Sequence, residues 1–270
     1  MRYPLHPLIC VLQMTANKNQ NPHVSVDCVI FGYAEQQLKL LLIRRALHLP
    51  QQDGPDRFLA LPGDLVLEDE DLNQAAKRVL KELTGLDNVF LEQFAAFGAP
   101  ERVKKEKDKQ WLQSVRQNPD ARVITVAYYS LIDAAECRLQ PGSFSAQAVW
   151  MPISEVPELA FDHNEIFENA LDELKHKIQL RPIGFELLPE KFTLGELQSL
   201  YEAILGRDLD KRNFRRKMLR SGFVLALEEK QQGVANKPAQ FYQFNRQKYE
   251  EIGETYVNLR LDGDDDYFLS

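Results

Sequence analysis

The sequence predicts an α/β (α+β) chain in which a domain built around a sheet is followed by a smaller, mainly helical domain. Segments rich in β-branched and aromatic residues recur between residues 24 and 156, which is the pattern of strands. A strongly amphipathic segment interrupts them near residues 72–86, and after residue 161 the apolar spacing becomes helical. A length of 270 residues is enough for about two domains.

Composition restricts the class of protein. With 44% hydrophobic and 27% charged residues, the chain has the profile of a soluble globular protein. Its three cysteines are an odd set without ligand-like spacing, which argues against a disulfide framework and against a zinc site. The N-terminal segment contains prolines and no sustained apolar run. We therefore expect neither a signal peptide nor a membrane span, and a cytoplasmic location.

The strands of the first domain can be placed in chain order. We interpret residues 1–22 as an irregular N-terminal arm and residues 23–160 as the first domain. Two apolar runs on either side of a turn-like Ala-Glu-Gln-Gln predict a strand pair, and four later runs predict further strands. The predicted strands are residues 24–33, 38–45, 58–64, 89–98 and 122–132, and residues 148–156 predict a last strand followed by a proline-marked turn.

A strongly charged insert, residues 101–121, separates two of these strands and ends in the turn signal Asn118-Pro119-Asp120. Runs of charged residues usually face solvent. We therefore expect a solvated loop with one helical turn in preference to a lid over a ligand.

The segment LPGDLVLEDEDLNQAAKRVLKELTGL, residues 61–86, resembles the signature box of the Nudix hydrolases. Glu70, Arg78, Glu82 and Gly85 lie at the positions that the family pattern assigns to these residue types. The resemblance implies an ion pair between Glu70 and Arg78 that braces the loop against the helix. The alternative is an ordinary amphipathic helix whose apolar stripe faces the core.

The box departs from the family pattern at three positions. Asp64 stands at the opening glycine, and Val79 and Leu83 replace two of the three clustered glutamates. Mg²⁺ and Mn²⁺ need several oxygen ligands at short range, and Glu82 alone does not supply them. We therefore predict no metal site, no cofactor, no catalytic residue and no hydrolase activity.

Residues 161–182 predict a linker helix between the domains. Asp162 and Glu165 have the spacing of a helix N-terminal capping box, and apolar residues at helical spacing then continue over residues 163–180. We expect His163 to be a surface residue at the helix start, because no nucleophile or paired carboxylate is placed beside it by the sequence.

Residues 183–250 form the second domain, and its helix boundaries are well marked. Thr193 and Glu196 predict a capping box for a helix over residues 194–205, and Asp210 can cap the next helix. A short glycine-containing turn joins the two, which predicts a helix-turn-helix. The following FVLALEE and QFYQFN segments predict a β-hairpin, or wing. Residues 251–270 remain as an acidic C-terminal tail.

Basic residues are concentrated in the second helix, although the net charge of the chain is -7. Residues 207–220 contain seven Lys or Arg and two Asp. Arginines can both neutralise phosphates and bind guanine in a major groove, whereas the alternative is a solvated basic surface. The candidate DNA-binding residues are Lys211, Arg212, Asn213, Arg215, Arg216, Lys217 and Arg220 on the helix, with Lys237 at the wing tip.

Residues 161–223, followed by KPAQFYQF, resemble the linker and DNA-binding half of the NrtR-type Nudix-related transcriptional regulators. Together with the first strand and the box, the resemblance covers residues 22–246. It implies a Nudix α/β/α sandwich followed by a winged helix-turn-helix domain. It also implies a homodimer that binds a palindromic operator in double-stranded DNA.

The resemblance further implies a small-molecule effector. In this family the Nudix domain senses ADP-ribose, a link to NAD metabolism, and in a related branch it senses a sugar such as arabinose. Effector binding weakens operator binding, so a repressor is expected. The family's short Arg-Asp-Pro-Arg-Gly-like stretch is replaced here by the insert.

Five charged residues are candidates for contacts with the effector: Arg45, Glu70, Arg78, Glu82 and Arg102. The alternative for each of them is a structural ion pair. Two other functions stay open at this point: a pentose-responsive regulator of the same family, and an active Nudix diphosphate hydrolase with an accessory nucleic-acid module.

Overall fold

The computed structural model describes residues 20–45, 59–116, 118–134, 137, 139, 146–180, 183–233 and 238–252. The strands are β1 (Gln20–Ala34), β2 (Gln37–Arg45), β3 (Leu59–Ala60), β4 (Gly63–Leu67), β5 (Glu92–Phe97), β6 (Ile124–Asp133), β7 (Ala146–Pro152), β8 (Phe192–Thr193), β9 (Val224–Lys230) and β10 (Gln240–Phe244). The helices are α1 (Leu72–Thr84), α2 (Lys109–Val115), α3 (His163–Leu180), α4 (Leu194–Leu205), α5 (Lys211–Ser221) and α6 (Arg246–Ile252).

β1 organises the larger sheet of the first domain. The order along the sheet is β3-β2-β1-β6-β5, with β4 also pairing with β1 and β7 with β2. β1 and β6 are parallel from Val24↔Ile124 to Tyr33↔Asp133, and the other pairs are antiparallel. Residues 25–33 of β1 are buried without interruption, as expected for a strand that is covered on both faces.

The two faces of this sheet are covered by different elements. Alternate residues of β1 such as Cys28 and Ile30 pack with Val79 of α1 on one face. Val29 and Phe31 lie in the cluster on the other face, which includes α3. This is the layered arrangement that was predicted, with a sheet between helices.

The apolar cluster beneath α3 continues into the second domain. Phe31 of β1 lies 6.2 Å from Phe167 of α3, measured between ring centroids, and the same cluster includes Leu197 and Leu200 of α4. Burial and the nearby Glu196 and Glu202 carboxylates of α4 raise the pKa of Tyr33, at the end of β1, to about 12. The two domains therefore share one core.

Local capping signals define α4 and α5 as predicted. Thr193 and Glu196 form a capping box at α4, which ends at Gly206 in the left-handed region. Asp210 accepts a hydrogen bond from the backbone N–H of Asn213 at the start of α5, and Gly222 ends that helix. The wing is formed by β9 and β10, and β10 also pairs with β8, which gives a three-stranded sheet in the order β8-β10-β9.

Some boundaries differ from the predictions. β1 begins at Gln20, so residues 20–22 belong to a strand and not to the arm. The predicted strand and turn within residues 148–156 are present, as β7, which ends at Pro152, and a single 3-10 turn at residues 153–155. Residues 1–19, Lys237 and most of the acidic tail lie outside the described residues. Within the described part of the chain, no helix is long and apolar enough to cross a membrane.

The expectation of a solvated loop for the charged insert was wrong. Val103, Trp111 and Leu112 are buried and pack against Ala160 and Phe161, just before α3. These apolar residues are few and stand among charged residues, which mask them in the sequence. In the folded chain, Trp111 and Leu112 of α2 and Val103 ahead of it lie in the same apolar cluster.

Candidate functional site

Arg78 and Glu70 form the predicted ion pair in the box. Arg78 Nε and Nη2 donate to the two carboxylate oxygens of Glu70 at 2.8 and 2.6 Å, and Nη2 also donates to the Leu65 carbonyl at 3.0 Å. Glu70 accepts a further hydrogen bond from the backbone N–H of Leu67. The hydrogen bond to Glu70 is the main cause of the raised pKa of Arg78. The loop before α1 is thus held to the helix by a bidentate contact.

The divalent metal implied by a Nudix box does not fit these residues. The Val79 side chain is fully buried between α1 and the sheet, and Leu83 packs at the edge of the same cluster. Glu70 and Glu82 both accept hydrogen bonds from Arg78. Among the described residues, no group of three or more His, Cys, Asp or Glu side chains could hold a metal ion.

A second cluster of charged residues lies in the interior beside the box loop. Arg102, only 5% exposed, donates to Asp162 through Nε at 2.8 Å and Nη2 at 2.9 Å, and to Asp27 through Nη2 at 3.3 Å. The Asp162 carboxylate, predicted to cap α3, is therefore bound by a guanidinium from the insert. A buried charge of this kind is favourable only when it is paired.

His163 belongs to the same cluster, so its predicted surface position was wrong. Its side chain is buried, its Nδ1 accepts a hydrogen bond from the Leu61 N–H at 2.9 Å, and its Nε2 lies 3.4 Å from Asp27 Oδ1. Because Nδ1 is an acceptor, the ring proton is assigned to Nε2, which faces Asp27. Burial is the main cause of its lowered pKa, and the nearby Asp27 opposes the shift. The ring is neutral at pH 7.

The close approach of the box loop to this cluster requires a glycine. A Cβ atom at Gly63 would lie 1.9 Å from Asp27 Oδ1 and 3.0 Å from the Val26 carbonyl. Gly63 begins β4 and pairs with Asp27 in register. The Pro62-Gly63 turn of the box therefore lies directly against the buried charges.

The structure brings some of the candidate effector residues together and separates others. Glu70, Arg78 and Glu82 form one contiguous group, whereas Arg102 lies in the separate interior cluster. Arg45 is the last residue of β2, and its side chain lies outside the described residues. Asp27 was missed in the sequence. The signal for it was a single carboxylate within a long apolar strand, because a buried charge requires a partner.

α5 presents most of its basic residues to solvent. Asn213 is half-buried, and its Oδ1 accepts a hydrogen bond from Arg216 Nη2 at 2.8 Å. The exposed basic residues are Lys211, Arg212, Arg215, Arg216 and Arg220.

The prediction that Lys217 belongs to the DNA-binding surface was wrong. Its side chain is buried, together with those of Phe214 and Met218. These positions share one helix face because residues three and four apart are neighbours. The long aliphatic part of a lysine can pack on a core-facing side in this way.

The turn between α4 and α5 is fixed by packing and by one carboxylate. The rings of Tyr201 and Phe214 meet edge-to-face at 5.3 Å. Glu202 Oε1 accepts hydrogen bonds from the Leu209 N–H at 2.9 Å and from Gln198 Nε2 at 2.8 Å. The orientation of α5 against the rest of the domain is therefore defined by several contacts.

Comparison with protein-family models supports both domains. The NUDIX domain model matches residues 21–170, and the model of the NrtR DNA-binding winged helix domain matches residues 184–244. The chain is 27% identical over 152 residues to the ADP-ribose pyrophosphatase of Methanocaldococcus jannaschii, covering 56% of this chain and 74% of that protein.

Two similar proteins match along most of their length. The chain is 35% identical over 235 residues to the ADPR responsive transcriptional repressor NtrR of Acinetobacter baylyi, covering 85% of each chain. It is also similar to the crystal structure of Shewanella oneidensis NrtR complexed with a 27mer DNA. That match has a TM-score of 0.64 and 29% identity, and covers 84% of this chain and 95% of the other. The chain belongs to the NrtR-type Nudix-related regulators, with a Nudix domain followed by an NrtR winged helix domain.

Proposed function

We propose that this protein is a DNA-binding transcriptional repressor whose Nudix domain senses ADP-ribose and that ADP-ribose weakens its binding to operator DNA. The observation that carries the proposal is the exposed basic face of α5, placed at the second helix of a helix-turn-helix. Its relative in Acinetobacter baylyi, matched over 85% of each chain, is named as an ADPR responsive repressor.

In this proposal α5 enters the major groove of the operator. Arg212, Arg215 and Arg216 supply guanidinium groups that can bind guanine O6 and N7, and Lys211 and Arg220 neutralise phosphates. Lys217 is left out because its side chain is buried. A homodimer would place two such helices on the two halves of a palindromic site.

The effector would bind beside the box, without hydrolysis. Glu82, with 46% of its side chain exposed, is more open to a ligand than Arg78 or Glu70, at 16% and 10%. Arg78 and Glu70 would then act by shaping the loop, and Arg102 by fixing the interior cluster. Loss of hydrolysis is supported by Val79 and Leu83, which place aliphatic side chains where a metal would need carboxylates.

The mechanism is a linkage between two binding sites. An effector that binds one arrangement of the protein better than another changes operator affinity only by that difference in affinity, about 1–3 kcal/mol in typical cases. This corresponds to a change of about 5-fold to 150-fold in the operator dissociation constant. The apolar cluster shared by the sheet, α3 and α4 provides a continuous packed connection between the two domains.

The deciding experiment measures binding of the full chain to the DNA upstream of its own gene, at one fixed salt concentration. ADP-ribose and several pentoses are added in separate titrations. Tight binding released by ADP-ribose supports the proposal. Release by a pentose alone moves the protein to the sugar-responsive branch, and absence of DNA binding at every condition refutes the repressor proposal.

An active hydrolase is the second candidate, because the chain is also similar to an ADP-ribose pyrophosphatase. It predicts Mg²⁺-dependent cleavage of ADP-ribose. We expect no turnover above that of a Glu82→Gln variant. Turnover that this substitution abolishes would replace the proposal of a purely binding function.

A further inference from the structure

Phe161, the second residue before α3, has a left-handed backbone conformation with a φ of 60°. A bulky side chain rarely adopts this conformation, and it persists only where surrounding contacts determine it. Phe161 lies where the first domain passes into the helix that leads to the winged domain. The strain is therefore located at the junction between the two proposed binding sites.

Three residues of the insert hold Phe161 in this conformation. The Asp108 carboxylate accepts a hydrogen bond from the Phe161 N–H at 2.9 Å, and Lys105 Nζ donates to the Phe161 carbonyl at 2.8 Å. The Trp111 ring meets the Phe161 ring edge-to-face at 5.5 Å. We name Lys105, Asp108 and Trp111 the junction clamp. It contacts both backbone polar groups and the side chain of the strained residue.

The backbone on either side of Phe161 is fixed as well. Lys107 Nζ donates to the Leu159 carbonyl at 3.0 Å, and the Ala160 N–H donates to the Leu59 carbonyl at 2.9 Å. The next residue after Phe161 is Asp162, whose carboxylate is bound by Arg102. The insert, β3 and the segment that leads into α3 thus meet at one place.

We propose that the junction clamp is the coupling element of this regulator: it holds the start of α3 in one of two arrangements, and the effector acts on operator affinity by shifting the equilibrium between them. The inference rests on the function proposed above. In the clamped arrangement Phe161 is left-handed, and in the released arrangement it adopts an ordinary backbone conformation and α3 begins at a different angle.

The strain makes this junction suited to such an equilibrium. The cost of holding a bulky residue at positive φ and the coupling free energies of typical allosteric proteins are of the same order. A change of one or two clamp contacts therefore shifts the balance between the arrangements. Without this strain the clamped arrangement would be favoured more strongly.

The first test compares Asp108→Ala and Lys105→Met with a matched control, Lys109→Met. Lys109 belongs to the same insert and pairs with the exposed Glu106, away from the junction. In each full-length variant, operator affinity is measured with and without ADP-ribose. We expect the control to keep the effect of ADP-ribose, and the two clamp variants to reduce it to less than about twofold, below the range of typical allosteric coupling.

The outcomes separate the two proposals. If the parent chain responds to ADP-ribose and the clamp variants respond equally, the clamp is refuted and the proposed function stands. If the parent chain does not bind operator DNA or does not respond, both proposals fail. The exposed Lys105 gives a variant that is expected to fold even where Asp108→Ala does not.

The second test measures the strain without DNA. Phe161→Ala and Phe161→Gly both remove the ring, but only alanine retains the cost of a positive φ. We expect the glycine variant to unfold about 2–4 °C higher than the alanine variant in thermal unfolding. Equal unfolding temperatures would show that residue 161 is not held under strain, and would overturn the proposal.

Discussion

Arg78 donates two hydrogen bonds to Glu70 across the loop of a Nudix box whose neighbouring metal-binding positions are Val79 and Leu83. The pair is shielded from solvent, with 16% and 10% of the two side chains exposed. The box therefore has the contact that shapes its loop, while Val79 and Leu83 of its helix pack in the apolar cluster beneath the sheet. A stability measurement separates these two roles.

Glu70→Gln is expected to destabilise the protein. The substitution removes the negative charge and one of the two acceptor oxygens from a largely buried bidentate pair, which costs about 1–3 kcal/mol of the free energy of unfolding. Chemical denaturation measures the change. The control is Lys81→Ala on the same helix, which removes an exposed pair with Asp87 just beyond the helix end and is expected to have no measurable effect. Equal stability of Glu70→Gln and the parent would contradict the bracing role.

Gly63→Ala is expected to be strongly destabilising. The added Cβ would meet a buried carboxylate and a backbone carbonyl, neither of which can move freely. Overpacking of this kind typically costs about 1–3 kcal/mol, measured as a lower midpoint of unfolding. Gly195→Ala in the first turn of α4 is the matched control, because its nearest neighbour, Thr193 Oγ1, lies at 3.6 Å. That variant should be as stable as the parent or more stable.

Stability is expected to depend on pH through His163. Its pKa is lowered in the folded protein from the ordinary value of 6.5, so the unfolded chain binds the proton more readily. The free energy of unfolding therefore decreases as the pH falls below 6.5, by up to about 1.4 kcal/mol per pH unit. His163→Gln should flatten this part of the pH profile. A profile identical to that of the parent would show that His163 does not titrate in this range.

Arg215→Ala and Arg216→Ala are expected to weaken operator binding while leaving the fold intact. Each substitution removes an exposed guanidinium from the proposed groove-binding face, at a cost of about 1–3 kcal/mol of binding free energy. Lys217→Met should reduce affinity less, because Lys217 is buried. Titrations at several salt concentrations measure both effects. If neither arginine variant changes affinity, α5 does not enter the groove.

Features that depend on local sequence were predictable, and those that depend on distant partners were not. Thr193, Asp210 and Gly206 act within one turn of their own helices, and the structure confirms the predicted helix limits. Arg102, in contrast, is bound by carboxylates 75 and 60 residues away in the chain. The charged composition of the insert predicted that it is exposed. The carboxylate partners of Arg102 become its neighbours only after the sheet forms.

The same distinction applies to the candidate sites. The Arg78–Glu70 pair was predictable because the resemblance of the box fixes both positions. The burial of Lys217 required knowledge of which face of α5 meets the rest of the domain. The left-handed conformation of Phe161 could not be predicted from the sequence. Any residue type can occupy a loop position, and only tertiary contacts impose this conformation.

The shared apolar cluster beneath α3 has a consequence for how the molecule comes apart. If the chain were divided near residues 181–182, Leu40 on the sheet and Leu197 on α4 would each lose part of their cover. Neither half would then retain a complete core, and the isolated winged domain would expose a surface prone to aggregation. We therefore expect calorimetry to show one cooperative melting transition for the whole chain, and not one for each domain.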